Sequence, residues 1–199
     1  MGLSNSRSPS WSSNARRPRG YIGTAHQTIG SDITALLKAV LMPEQMLGKE
    51  VVSGLRQVEG HKWYPIAMLL DPLDRLDQLL GESSLRKIGW TLFEQSHEKA
   101  MRAAKVSVRA ITYGIDGMYH RANRGQDIGG WRVVTFEPGE AVLEKNTPHN
   151  CIMEEGILEA GCRVAGVVPT IFQSECIRNG GVVCRFVIRS HVVDERWNG

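Results

Sequence analysis

Four cysteines, Cys151, Cys162, Cys176 and Cys184, are the residues whose type and grouping can do chemistry in this chain. Thiols can ligate a soft cation such as zinc, exchange into disulfides, or pack as small apolar groups. Two of them lie in a stretch that reads as a β-hairpin, Thr170 to Ile188. With a three-residue loop at Asn179-Gly180-Gly181, Arg178 pairs with Val182 and Cys176 falls opposite Cys184. The same register puts Phe172, Cys176, Val182, Cys184, Phe186 and Ile188 on one face, and sets Glu175 across from Arg185 on the other. One face is core and the other is wet.

Other chemistries find less support. The histidines at 26, 61, 97, 120, 149 and 191 contain no pair at His-x-x-x-His spacing. A haem ligand would need a histidine on an apolar helix face, whereas His97 sits among Glu98, Lys99 and Arg102. No thiol or hydroxyl has a base beside it in a recognisable motif, so no catalytic residue is assigned and an enzyme is not the expected reading. The glycines between Ile111 and Gly130 do not follow the G-x-G-x-x-G spacing of a phosphate cradle, and this segment reads as a mobile loop or as helix ends.

The chain has 199 residues, 42% of them hydrophobic, enough for one substantial core. Its net charge of +3 is concentrated at the start: Arg7, Arg16, Arg17 and Arg19 face no acid within residues 1–20, leaving the remainder at −1 by difference. No broad basic surface for nucleic acid is therefore expected. Residues 1–20 are rich in Ser, Arg and Pro and read as a disordered basic tail. Gly2 and Ser6 match an N-myristoylation pattern, with a solvated tail or a spurious upstream start as alternatives. There is no apolar signal region and no run of about eighteen apolar residues, which points to a cytoplasmic protein with reduced thiols.

The elements that must position the thiols follow from periodicity. Tyr21 to Gly30 suits a strand or extended arm, and Ser31-Asp32 caps a helix with Ile33, Leu36, Leu37, Val40 and Leu41 on one stripe. A weaker helix follows over residues 46–58. Leucines recur at helical spacing from His61 to Leu80, with Pro72 expected to break that helix in two and Gly81 to end it. Helix continues from Glu82 to Val108. A hairpin is signalled by Arg132–Phe136 and Ala141–Lys145 around Glu137-Pro-Gly-Glu140. Asn150 then caps a helix over Cys151–Ala165 whose face carries Met153, Gly156, Ile157, Ala160, Gly161 and Val164. Two glycines on one helix face imply close packing, most simply against the sheet. The expected fold is α+β: a helical layer on a four-stranded antiparallel sheet. Three regions are expected, a tail over 1–20, a helical region over 21–90 and an α+β core over 91–192.

From Thr91 to Arg189 the order of hairpin, small-residue helix and Cys-(seven residues)-Cys-Arg-Phe resembles the 4-vinyl-reductase-type domain. That domain belongs to a wider superfamily with the TRAPP transport-particle subunits and is structurally reminiscent of haem-nitric-oxide-binding modules. Ile33 to Leu80, with Trp63-Tyr64-Pro65, also resembles an uncharacterised myxobacterial family. The resemblance implies a cavity for a hydrophobic ligand between helices and sheet, with Tyr113, Met118, Tyr119, Phe136 and Ile157 as its lining. It also implies action as a sensor through a homodimer or a partner protein. Phenol-sensing members of the resembled family hold a structural zinc with a helix-region Cys, an acid three residues before the hairpin's first Cys, and the two hairpin cysteines. Here Gln173 stands at the acid's position, so a zinc set would draw on Cys151, Cys162, Cys176 and Cys184, and buried free thiols remain the alternative. A small-molecule binding module is thus the leading expectation, with a structural protein that dimerises through its helices as the other.

Overall fold

The computed structural model describes residues 25–199; the basic tail and its Gly2/Ser6 pattern lie outside the described residues. The chain runs β1 (Gln27–Ile29), α1 (Gly30–Ala39), α2 (Pro43–Leu47), α3 (Lys49–Arg56), β2 (Trp63–Pro65), α4 (Ala67–Leu79) and α5 (Glu82–Phe93). A π-helical turn (Glu94–Glu98) leads into α6 (Lys99–Ala103), α7 (Val108–Ala122), β3 (Asn123–Arg124), β4 (Trp131–Glu137) and β5 (Glu140–Lys145). Then come α8 (Cys151–Val164), β6 (Thr170–Glu175), a short 3-10 turn (Ile177–Asn179), β7 (Cys184–Arg189) and α9 (Glu195–Asn198).

The α+β class and the four-stranded antiparallel sheet hold, in the order β4-β5-β7-β6. A second, three-stranded sheet, β2-β1-β3, was not anticipated; it pairs the Trp63-Tyr64-Pro65 triplet with Gln27–Ile29. On the large sheet Ala141, Leu143, Phe186 and Ile188 are fully buried beneath the helices, and Trp131 lies against the Phe186 ring at 5.4 Å. The opposite face carries Glu144, which stands between its cross-strand partners Arg132 and Arg185. The Arg185 guanidinium and then Arg132 hold its carboxyl below the usual range against the opposing effect of burial.

Several sequence expectations change. Pro72 sits inside an unbroken α4, and the presumed loop after Ile111 is the fifteen-residue helix α7. Helix α7 buries Val108, Ile111, Thr112, Ile115, Met118 and Tyr119 at helical spacing, a stripe that its glycines obscured. The small-residue face of α8 meets a helix rather than the sheet. A Cβ on Gly156 would lie 1.9 Å from the Arg86 carbonyl oxygen, and one on Gly89 would lie 1.8 Å from that of Met153, so α5 and α8 touch backbone to backbone.

The closing hairpin departs from its simple register by a β-bulge between Gln173 and Glu175. Glu175 does pair with Arg185, but Gln173 pairs with Phe186 and Phe172 with Val187. One extra residue reverses the facing of everything before it. Phe172 is therefore exposed on the outer face, and Val182, 84% exposed, belongs to the turn rather than the core. Gly180 takes the left-handed conformation that closes this turn, at φ 94°.

Candidate functional site

The thiols meet where three elements end. Asn150 caps α8, its side chain accepting from the Ile152 and Met153 amides at 2.9 and 3.1 Å, which sets Cys151 at the first helical position. Cys184 opens β7, opposite Lys145 at the end of β5. Cys176 follows the bulged end of β6, and its carbonyl accepts from the Asn179 and Gly181 amides, both at 3.0 Å. Cys151 and Cys184 have Sγ atoms 2.9 Å apart, Cys176 and Cys151 3.6 Å, and Cys184 and Cys176 3.9 Å. All three are buried and none is in a disulfide.

Cys162 is not part of this group. It lies eleven residues along α8 from Cys151, a rise of about 16 Å, and burial pushes its thiol up to about 12. It is an apolar core group. Among the described residues the cluster able to hold an ion is Cys151, Cys176 and Cys184.

A buried polar group that sequence reasoning missed lies next to the thiols. The Lys145 side chain is completely buried; its Nζ donates to the His149 carbonyl at 2.8 Å and lies 3.3 Å from Glu154 Oε1. His149 Nδ1 is 3.4 Å from the same carboxylate oxygen, and the His149 ring meets the Tyr119 edge at 5.5 Å. Burial alone would lower the Lys145 ammonium, but Glu154, Cys151 and Cys184 hold it above its ordinary value. Burial likewise opposes Glu154, which Lys145 and His149 keep below the usual carboxylate range. The phase of β5 contained the signal for Lys145, since Ala141, Leu143 and Lys145 alternate onto one buried face.

Hydrogen bonding with Cys151 and then Cys184 pulls the Cys176 thiol below its ordinary value, and Lys145 adds its charge. Hydrogen bonding with Cys176 pushes Cys151 up, and hydrogen bonding with Cys151 and then Cys176 pushes Cys184 up.

The residues expected to line a ligand cavity lie on α7, β4 and α8. Tyr113 is 54% exposed and packs on Phe136 at 5.8 Å with Arg109 over both rings. Phe136 in turn stacks on Trp197. Tyr119 is buried and donates to the Ile128 carbonyl at 2.8 Å, and Ile157 is half-buried on α8. Met118 lines a groove, of about 420 Å³, between α1, the π turn and the end of α7.

No protein-family model and no curated protein sequence matches the chain. Solved structures do match in fold. An H-NOX protein from S. oneidensis in the Fe(II)NO ligation state is 15% identical with a TM-score of 0.62, over 82% of this chain and 99% of that one. A mutant H-NOX protein from S. oneidensis, in its Fe(II) ligation state, gives 17% and 0.61 over 85% and 99%. An unliganded Fe(II) H-NOX protein from K. algicida gives 14% and 0.57 over 82% and 96%. These neighbours overturn the 4-vinyl-reductase and TRAPP-like assignment: the arrangement of helices and sheet is that of the H-NOX fold.

Proposed function

We propose that this chain is a small-molecule or metal-responsive sensory module of H-NOX-like fold whose detecting centre is the thiol cluster, with Cys151, Cys176 and Cys184 holding a thiophilic divalent ion of the zinc class. The mutual placement of the three sulfurs carries this reading. Tetrahedral zinc with bonds of about 2.3 Å keeps its sulfurs about 3.8 Å apart, and two of the separations here, 3.6 and 3.9 Å, bracket that spacing. Metal entry would open the 2.9 Å Cys151–Cys184 contact and displace the shared protons, and the Lys145 ammonium beside the sulfurs favours the thiolates that result. Three protein sulfurs leave one coordination position for an exchangeable ligand, as reactive rather than closed zinc sites do.

Several solved neighbours are described in Fe(II) states, and another in terms of heme distortion. The interior formed by the described residues does not fit a haem. A porphyrin needs a flat apolar slot and an axial His, Cys, Met or Tyr aimed into it. Gly89 and Gly156 close the α5–α8 interface to backbone contact, and the buried face of α7 offers Ile111, Thr112 and Ile115 in place of a histidine. Tyr119 is engaged with Ile128, and His149 lies between Tyr119 and Glu154. His97 stands in the groove beside Met118, with Asp32, Lys38 and Arg121 also on its wall.

The test is a zinc titration of the reduced, metal-free chain against a chromogenic chelator. One ion per chain is expected, with affinity lost in Cys176→Ser and Cys184→Ser and kept in Cys162→Ser. Equal affinity in all four proteins would remove the reading.

A further inference from the structure

The second place in the molecule where chemistry converges is the groove between α1, the π turn and α7. Its wall contains Lys38 from α1, Ser96 and His97 from the π turn, and Arg121 from α7, over a floor that includes Ile29, Ala35, Met118 and Ala122. A volume of about 420 Å³ falls within the range of small-molecule sites. Lys38 and Arg121 have no carboxylate within ion-pair distance among the described residues, whereas nine of the other arginines each do. The backbone adds an independent sign. A π turn interrupts a helix at some cost and recurs at functional sites, and this one spans Gln95, Ser96 and His97, all three of them on the groove wall. His97 is held below its ordinary value by burial and by the Arg121 charge, which leaves a neutral imidazole able to donate one hydrogen bond.

We propose that this groove binds a small organic carboxylate with a short apolar body, the carboxylate meeting Lys38 and Arg121 with His97 as donor, and the apolar part lying on Ile29, Ala35, Met118 and Ala122. The acid already present, Asp32, lies at the α1 end and takes the Ser31 hydroxyl. It sets the direction of the ligand, because a carboxylate placed there would be repelled. The site is separate from the thiol cluster and does not depend on a metal there.

Calorimetric titration of the full chain with octanoate tests this, with octan-1-ol and octylamine as uncharged and cationic counterparts. One saturable octanoate site is expected, about tenfold weaker in the Lys38→Ala/Arg121→Ala double variant and about tenfold weaker for octanol. Both substituted residues are exposed, so an unchanged melting temperature distinguishes loss of binding from loss of fold. Cys184→Ser should bind octanoate as the parent does, which separates this result from the fate of the metal reading. Equal binding of octanol, an unaffected double variant, or no saturation up to about 10 mM would overturn the proposal.

Discussion

Lys145 and Glu154 are both buried and pair with each other, with His149 as a second partner of Glu154, so removing the lysine leaves the carboxylate without its one permanent counter-charge. Lys145→Met keeps most of the volume but strands Glu154, and should cost about 3–5 kcal/mol by denaturant unfolding. Adding Glu154→Leu should recover most of that loss. Asp32 supplies a pH dependence of definite sign. Burial lifts its carboxyl from 3.8 to about 6 in the folded chain, against the pull of His149 and Ser31. The folded state then holds the proton more tightly than the unfolded one, so this group's contribution falls as pH rises from about 4 to 6 and is flat above. Asp32→Asn should abolish that slope and be more stable by about 2 kcal/mol at pH 7, read from urea midpoints across the range. At this scale the sequence exposed the cysteines as a group but could not separate Cys162 from the rest. Helical periodicity says which face a residue shares, not which strand end its first turn lies above. Lys145 was legible in the β5 alternation and was masked by the ordinary surface preference of lysine.

Backbone contact between α5 and α8 makes the element scale the least tolerant of change. Gly89→Ala or Gly156→Ala forces the two helices apart and should cost at least about 3 kcal/mol or prevent folding. Gly54→Ala, on α3 with nothing near its Cβ, should be stabilising. The hairpin bulge makes an opposite pair of predictions. Phe172→Ser should be near neutral and Phe186→Ala should cost about 3–5 kcal/mol, although a bulge-free register puts both in the core. Thermal melts of the two variants decide it. The β4–β5 hairpin and α8 were plain in the sequence because turn residues and an Asn cap mark their ends. The bulge was not, since nothing in Gln173-Ser174-Glu175 distinguishes an extra residue from a regular one. Helix α7 was hidden by two glycines and a tyrosine on its open side, although its Ile111, Ile115, Met118 and Tyr119 spacing carried the pattern.

At the scale of the whole molecule, a chain similar in fold to H-NOX proteins has α5 and α8 in backbone contact, and three of its thiols gathered at the sheet end where α8, the β6 bulge and β7 converge. Among the described residues no helix is long and apolar enough to cross a membrane. A metal at the thiol cluster would tie α8 to both strands of the closing hairpin, so a chelator should lower the melting temperature of the parent but not of Cys184→Ser. The fold class came through the sequence because periodicity and turn chemistry are local. The fold family did not, because the hairpin–helix–hairpin order is shared by more than one arrangement of helices, and the packing of α5 on α8 is set by contacts distant in the chain. The most direct measurement of the central claim is X-ray absorption at the zinc edge on the zinc-loaded chain. Three sulfur scatterers at about 2.3 Å with one lighter ligand are expected, with no zinc retained by Cys184→Ser under the same loading; a first shell of nitrogen and oxygen alone, or the same spectrum from that variant, would contradict it.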